Sequence, residues 1–231
     1  MKLKIKTGNG VYRYKFVPIY PGIKPINKTI AFENLLLLKK ICDANNLHFL
    51  LYYGTLLGAI REKDFITHDE DIDLALKLED MPHFLDLLFE LRKNGFEMAR
   101  YESRGFMSII RKGEYIDLYF FGIYPKHNDR RYCARDVLPK KFIEDTKNIE
   151  FKGETFETCA DPVGFLELYY GEDWKTPQPF FDFNMSKLTK FKMFLSQYIK
   201  ALLPQSIVET LQAKRDAKYL DRLETESASK I

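Results

Sequence analysis

Three cysteines in 231 residues are too few and too scattered to act as a set. Cys42, Cys133 and Cys159 form no CxxC pair and no zinc-ligand spacing, and an odd number cannot close a complete disulfide framework. Such usage suits a reducing compartment. Long hydrophobic runs are also missing. The stretches Leu35 to Leu38 and Ile116 to Ile123 are too short or too interrupted to span a bilayer. The basic start, Met1 to Lys6, leads into no apolar stretch and does not read as a secretory signal. A cytoplasmic protein is expected. Neither sign of charge dominates: 36 Lys and Arg against 33 Asp and Glu leave a formal net charge of +3, too little to argue for a nucleic-acid partner.

Aromatic residues are plentiful, with 19 Phe and 14 Tyr, and are read as a large aromatic core. The length suits one domain with a modest addition. Three parts are expected: an N-terminal arm over 1–28, a catalytic domain over 29–182 and a basic helical extension over 183–231.

Pro18, Pro21, Gly22 and Pro25 follow a short strand or arm and make an irregular lead-in. A helix is expected from Thr29 to Asn46, a buried strand from His48 to Tyr53 and a short helix from Leu56 to Arg61. Ile72 to Leu76 reads as a strand, and Pro82 to Asn94 as one amphipathic helix. Phe96 to Tyr101, Phe106 to Arg111 and Tyr115 to Phe121 follow as strands, the last two joined across Lys112-Gly113-Glu114. Beyond them, loops and a short hairpin are expected over Leu138 to Phe156, then a helix from Pro162 to Tyr170. Two more helices are expected from Ser186 to Leu203 and from Gln205 to Leu223. This order gives an α+β fold, a mixed sheet flanked by helices that pack on one side.

The chemistry concentrates in Thr67-His68-Asp69-Glu70-Asp71-Ile72-Asp73-Leu74-Ala75-Leu76. Residues two apart on a strand share a face, so Asp71 and Asp73 stand side by side while Ile72 turns into the core. Two ionised carboxylates that close repel and call for a cation. Hard oxygen donors suit Mg²⁺ or Mn²⁺. In Tyr115 to Phe121, Asp117 interrupts an apolar strand, where a lone acid is costly unless paired or metal-bound. It supplies a third carboxylate for metal-assisted phosphoryl transfer. In Tyr52 to Arg61, Gly54 follows a strand and opens a helix, so its backbone can approach a phosphate. Thr55 offers a hydroxyl, and Arg61 can reach a phosphate bidentately.

A Gly-Thr turn, an Asp-Ile-Asp opening a strand and an apolar strand broken by one Asp together resemble the polymerase-β-like nucleotidyltransferases. The stretch Tyr53 to Leu76, containing GTLLGAIREKDFITHDEDIDLAL, resembles the LicD family of phosphocholine and fukutin-type phosphoalcohol transferases. Tyr170-Gly171-Glu172-Asp173-Trp174-Lys175-Thr176-Pro177 is similar to that family's second signature, so the likeness runs from Thr29 to Pro177. Where the family often has Pro-Trp before the acids, this chain has Thr67-His68. The resemblance implies a CDP-activated donor, such as CDP-choline or CDP-ribitol, and transfer of its phosphoalcohol to a hydroxyl of a cell-surface glycan, free or lipid-linked, with release of CMP. Asp71, Asp73 and Asp117 would hold the metal. Asp117 would also help deprotonate the acceptor. Gly54, Thr55 and Arg61 would hold donor phosphates, Asp69 would assist, and Tyr170 and Trp174 would stack on a base or wall the acceptor site. The alternatives are an NTP-using nucleotidyltransferase and a non-catalytic nucleotide- or glycan-binding scaffold.

Lys187, Lys190, Lys192 and Lys200 lie among Leu188, Phe191, Phe194, Leu195, Ile199 and Leu202 with no acid between them. Two readings are open: a helix packed on the domain with its basic face in water, or a peripheral membrane contact through residues 186–203.

Overall fold

The computed structural model describes residues 2–15, 17, 24–178 and 186–228. Pro18, Pro21 and Gly22 of the lead-in, and the chain end beyond 228, lie outside the described residues.

The chain opens on a hairpin where one strand or arm was expected. β1 (Lys2–Thr7) and β2 (Gly10–Lys15) pair antiparallel around Gly8-Asn9. Helix α1 (Lys28–Ala44) follows, and the Asn27 side chain accepts a hydrogen bond from the Ile30 N–H. Such a cap satisfies a donor that the first helical turn leaves open. The expected strand after it shrinks to two residues, β3 (Leu50–Leu51), and α2 (Tyr53–Arg61) starts at once. After β4 (Asp71–Lys77), the single helix expected to Asn94 is broken at Leu87 into α3 (Met81–Asp86) and α4 (Leu88–Lys93). The meander is as expected: β5 (Glu97–Glu102), β6 (Phe106–Arg111) and β7 (Glu114–Ile123). Lys112 and Gly113 both take positive φ in the β6–β7 turn, the geometry that matches a two-residue hairpin to strand twist.

A second hairpin, β8 (Arg130–Cys133) and β9 (Asp136–Pro139), hangs from the end of β7. The short helix α5 (Lys141–Glu144) then leads to β10 (Thr146–Phe151) and β11 (Glu154–Cys159). These last two extend the main sheet, whose order is β10-β11-β3-β4-β7-β6-β5. Most neighbours are antiparallel, but β11 runs parallel to β3 and β4 parallel to β7. The chain continues through α6 (Pro162–Tyr170), α7 (Lys187–Leu202) and α8 (Gln205–Ala228).

The sheet is covered on both faces, not one. Leu35, Leu38 and Ile41 of α1 and Phe84, Leu88 and Leu91 of α3 and α4 pack on Ile72, Leu74, Leu76, Ile116, Leu118 and Phe120. On the opposite face, the short helices α2, α5 and α6 bring Tyr52, Leu56, Phe142 and Phe165 against Ala75 and Phe121. The alternation along β4 and β7 therefore sends even-numbered residues into the larger core and odd-numbered ones to the smaller. This second face is only partly covered, and the gap is the site.

Candidate active site

Asp71 and Asp73 are two apart on β4, and the parallel register sets Asp73 directly beside Asp117 on β7. All three side chains thus leave the same face of the sheet. Asp73 and Asp117 are buried, whereas Asp71 and Asp69 keep part of their surface on the cavity. Burial, then mutual repulsion, raises the carboxyls of Asp71 and Asp73 well above the ordinary carboxylate range. Asp69 is pushed up to about 8 by burial and by Asp71. Asp117 is raised by burial, while Arg100 opposes the rise.

Gly54 matters here for a reason other than phosphate approach. Its N–H donates to Asp73 Oδ2 at 3.0 Å. A Cβ at this position would stand 3.1 Å from both Asp69 carboxylate oxygens and 3.2 Å from Asp73 Oδ2. The missing side chain lets two carboxylates crowd the first turn of α2, where helix N–H groups favour negative charge. Before it, Tyr53 sits at φ 39°, a costly conformation for a bulky residue. Its hydroxyl donates to Asp136 at 2.9 Å, and its ring packs on Tyr52, Tyr119 and Tyr169.

Thr55 departs from its expected role. It is fully buried, and its hydroxyl accepts the Asp73 backbone N–H at 2.8 Å. It holds β4 against α2 and does not face the cavity. Arg61 does line the cavity, but one Nη donates to the Trp174 carbonyl at 3.1 Å and the other to Glu62 at 2.7 Å. Only its Nε is left without a partner, so the bidentate phosphate grip is already taken by protein groups.

The cavity has a volume of about 500 Å³. Gly54, Asp69, Asp71 and Asp73 form its acidic end, and Arg61, Tyr169, Tyr170 and Trp174 wall the other. Trp174 is a buried wall of the smaller core, and its Nε1 has no hydrogen-bond partner. The Tyr170 hydroxyl is raised by burial and by the nearby Asp73 carboxylate. His68 also lines the cavity.

Two residues of the site escape sequence reasoning. Arg100 on β5 donates to Asp117 Oδ2 at 2.9 Å and to Ser108 Oγ at 3.1 Å, with its guanidinium 3.8 Å from the Phe106 ring centroid. Pairing of Arg100 with Ser108, and of Ser108 with Asp117, makes one row across three strands. Tyr119 hydrogen-bonds Asp73 from β7. An Arg at an inward position of a strand was the available signal, but nothing in the sequence gives the register that aims it.

The donor set fits a hard divalent cation in chemistry: buried carboxylate oxygens, raised by repulsion, with Asp69 Oδ2 left unpartnered. As they stand, however, no three His, Cys, Asp or Glu side chains among the described residues are poised around one ion. Asp73 leans on the Gly54 N–H and Asp117 on Arg100.

The LicD/FKTN/FKRP nucleotidyltransferase domain matches residues 46–158, a narrower span than the Thr29 to Pro177 expected. An uncharacterised protein of Rickettsia typhi is 27% identical over 166 residues, covering 66% of this chain and 52% of the relative. The lipopolysaccharide cholinephosphotransferase LicD of Haemophilus influenzae is 34% identical over 62 residues, covering 27% of this chain and 23% of the relative. The chain thus spans about half the length of the Rickettsia relative and less of LicD. Among solved structures, the lincosamide adenylyltransferase LnuA covers 75% of this chain and 99% of its own at 9% identity, with a TM-score of 0.45. The antibiotic-resistance factor ANT(2'')-Ia covers 87% and 99% at 14% identity, with a TM-score of 0.47. Residues 46–158, which carry Gly54, Arg61, Asp71, Asp73 and Asp117, match the LicD/FKTN/FKRP nucleotidyltransferase domain.

Proposed function

We propose that the chain is a divalent-metal-dependent phosphotransferase that moves a phosphoalcohol from a CDP-activated donor to a glycan hydroxyl and releases CMP. One observation carries the reading: Asp71 and Asp73 face the same side of the sheet as Asp117, in direct register across β4 and β7. The match of residues 46–158 to the LicD/FKTN/FKRP domain supports the transferase class.

The roles follow from position. Asp71, Asp73 and Asp117 would hold Mg²⁺ or Mn²⁺, with Asp69 at the margin. Such an ion neutralises the diphosphate and the charge that develops on the leaving CMP. The Gly54 turn keeps Asp73 aimed, and Thr55 fixes the strand behind it. Arg100 orients Asp117 and opposes the rise of its carboxyl, which favours Asp117 as the group that takes the acceptor proton. Tyr170 and Trp174 form the apolar wall against which a base or alcohol would lie. Arg61 braces that wall through the Trp174 carbonyl, and its unpartnered Nε is the donor it can still offer to a phosphate.

A release assay decides the matter. The protein is incubated with CDP-choline, CDP-ribitol, CDP-glycerol or CDP-ethanolamine, with Mg²⁺ or Mn²⁺ and a glycan acceptor pool. CMP formation from one donor is expected. Pyrophosphate from CTP, with no CMP from any of the four, would replace this reading with nucleotidyl transfer.

A further inference from the structure

Helix α7 wears its apolar face outward. Leu188, Phe191, Leu195, Tyr198, Ile199 and Leu202 are all exposed, with Leu188 63%, Phe191 59% and Leu202 73% accessible. At a helical spacing of about 100° per residue they fall within an arc of about 100°. Lys187 and Lys192 stand at the two edges of that arc. The less exposed positions, Met193, Phe194 and Gln197, lie on the opposite side and turn toward the body. Ordinary packing would place the apolar stripe against the core. Here it is inverted, and the stripe stays largely exposed.

The charge around the stripe is of one sign. From 186 to 208 there are four lysines and no acid. The helix is pinned in place by its successor: Asp216 of α8 is buried and accepts from Arg104 at 2.7 and 2.6 Å, and Lys126 meets Asp221 at 2.7 Å. On the inner side, Gln197, Lys200 and Leu203 line a cavity of about 240 Å³ together with Arg100, the residue that grips Asp117.

We propose that α7 docks flat on an anionic lipid bilayer. Its apolar arc would enter the headgroup boundary while Lys187 and Lys192 at its edges meet lipid phosphates. Sixteen residues extend about 24 Å, short of a bilayer core and flanked by lysines, so the helix lies on the surface. A second copy of the chain is the poorer occupant, because two such faces would bring like charges together. The inference is independent of the donor chemistry.

Flotation with vesicles tests it. The full chain is mixed with vesicles of phosphatidylglycerol and phosphatidylcholine in equal parts, or of phosphatidylcholine alone. Recovery with the anionic vesicles only is expected, weakened by high salt. The double variant F191E/L195E should lose at least about tenfold of that recovery with an unchanged circular-dichroism spectrum, and K187Q/K192Q should lose most of it. Wild-type protein that stays at the bottom with anionic vesicles overturns the proposal. So does a double variant that floats as well as wild type. A dimer in sedimentation that F191E/L195E dissolves, without vesicle recovery, assigns the face to a second copy instead.

Discussion

The same two strands build both faces of the sheet, and the faces obey opposite rules. Toward α1, α3 and α4, strands β4 and β7 present Ile72, Leu74, Leu76, Ile116, Leu118 and Phe120, all buried and apolar. On the other face they present Asp71, Asp73 and Asp117, with carboxyls raised by burial and, for Asp71 and Asp73, by neighbouring carboxylates as well. One face stabilises the fold. The other holds charge that the fold would shed if it could, since crowded carboxylates without a cation oppose folding. Destabilising groups kept on a well-supported scaffold are the usual mark of a site.

Exchanging the two kinds of residue should therefore give opposite phenotypes. Asp73→Asn and Asp117→Asn should each lower transfer by about a thousandfold or more, since charge placed for the transition state is hard to replace. The melting temperature of Asp73→Asn should equal or exceed that of wild type, because a source of repulsion is gone. A lower melting temperature for Asp73→Asn would blur the contrast. On the other side, Leu118→Ala should cost about 2–5 kcal/mol in denaturant unfolding, with little change in activity per folded molecule.

Two smaller effects probe the margin between the faces. Gly54→Ala places a methyl 3.1–3.2 Å from the Asp69 and Asp73 carboxylates. It should reduce kcat more than it reduces stability, and equal losses in both would make Gly54 merely structural. Arg100→Gln removes the cation that lowers the Asp117 carboxyl. That carboxyl then holds its proton to higher pH, so the acid limb of the activity profile should move alkaline. An unmoved limb would separate Arg100 from the acid–base group.

The smallest effect is the dependence of metal-free stability on pH. Asp69 rises from its ordinary value of 3.8 to about 8 in the folded protein. The folded state thus binds the extra proton, and its contribution to stability is present below about pH 4 and lost as pH climbs through 8. In EDTA, the melting temperature should drop across this window, and Mg²⁺ should recover more of it at pH 8 than at pH 5.

Local signals exposed much of this. Alternation in Asp71 to Leu76 and in Tyr115 to Phe121 fixed which residues share a face, and Gly54 marked a helix start. Arg100 stayed hidden because its meaning depends on β5, β6 and β7 lying in register, which is a long-range property. Thr55 was misplaced for a related reason: a hydroxyl beside a glycine turn serves a phosphate or a backbone equally well, and only packing decides. The break at Leu87 divides a pattern that is apolar at helical spacing throughout. In the opening hairpin, Gly8-Asn9-Gly10 was a turn signal that the basic alternation around it obscured. The outward stripe of α7 follows from its amphipathic sequence, but which way it faces does not.

Titration with Mn²⁺ followed by electron paramagnetic resonance tests the carboxylate site most directly. One tight ion per wild-type chain is expected, lost in Asp73→Asn and in Asp117→Asn alike. Undiminished binding in Asp117→Asn, or none in wild type, would contradict a site shared between the two strands.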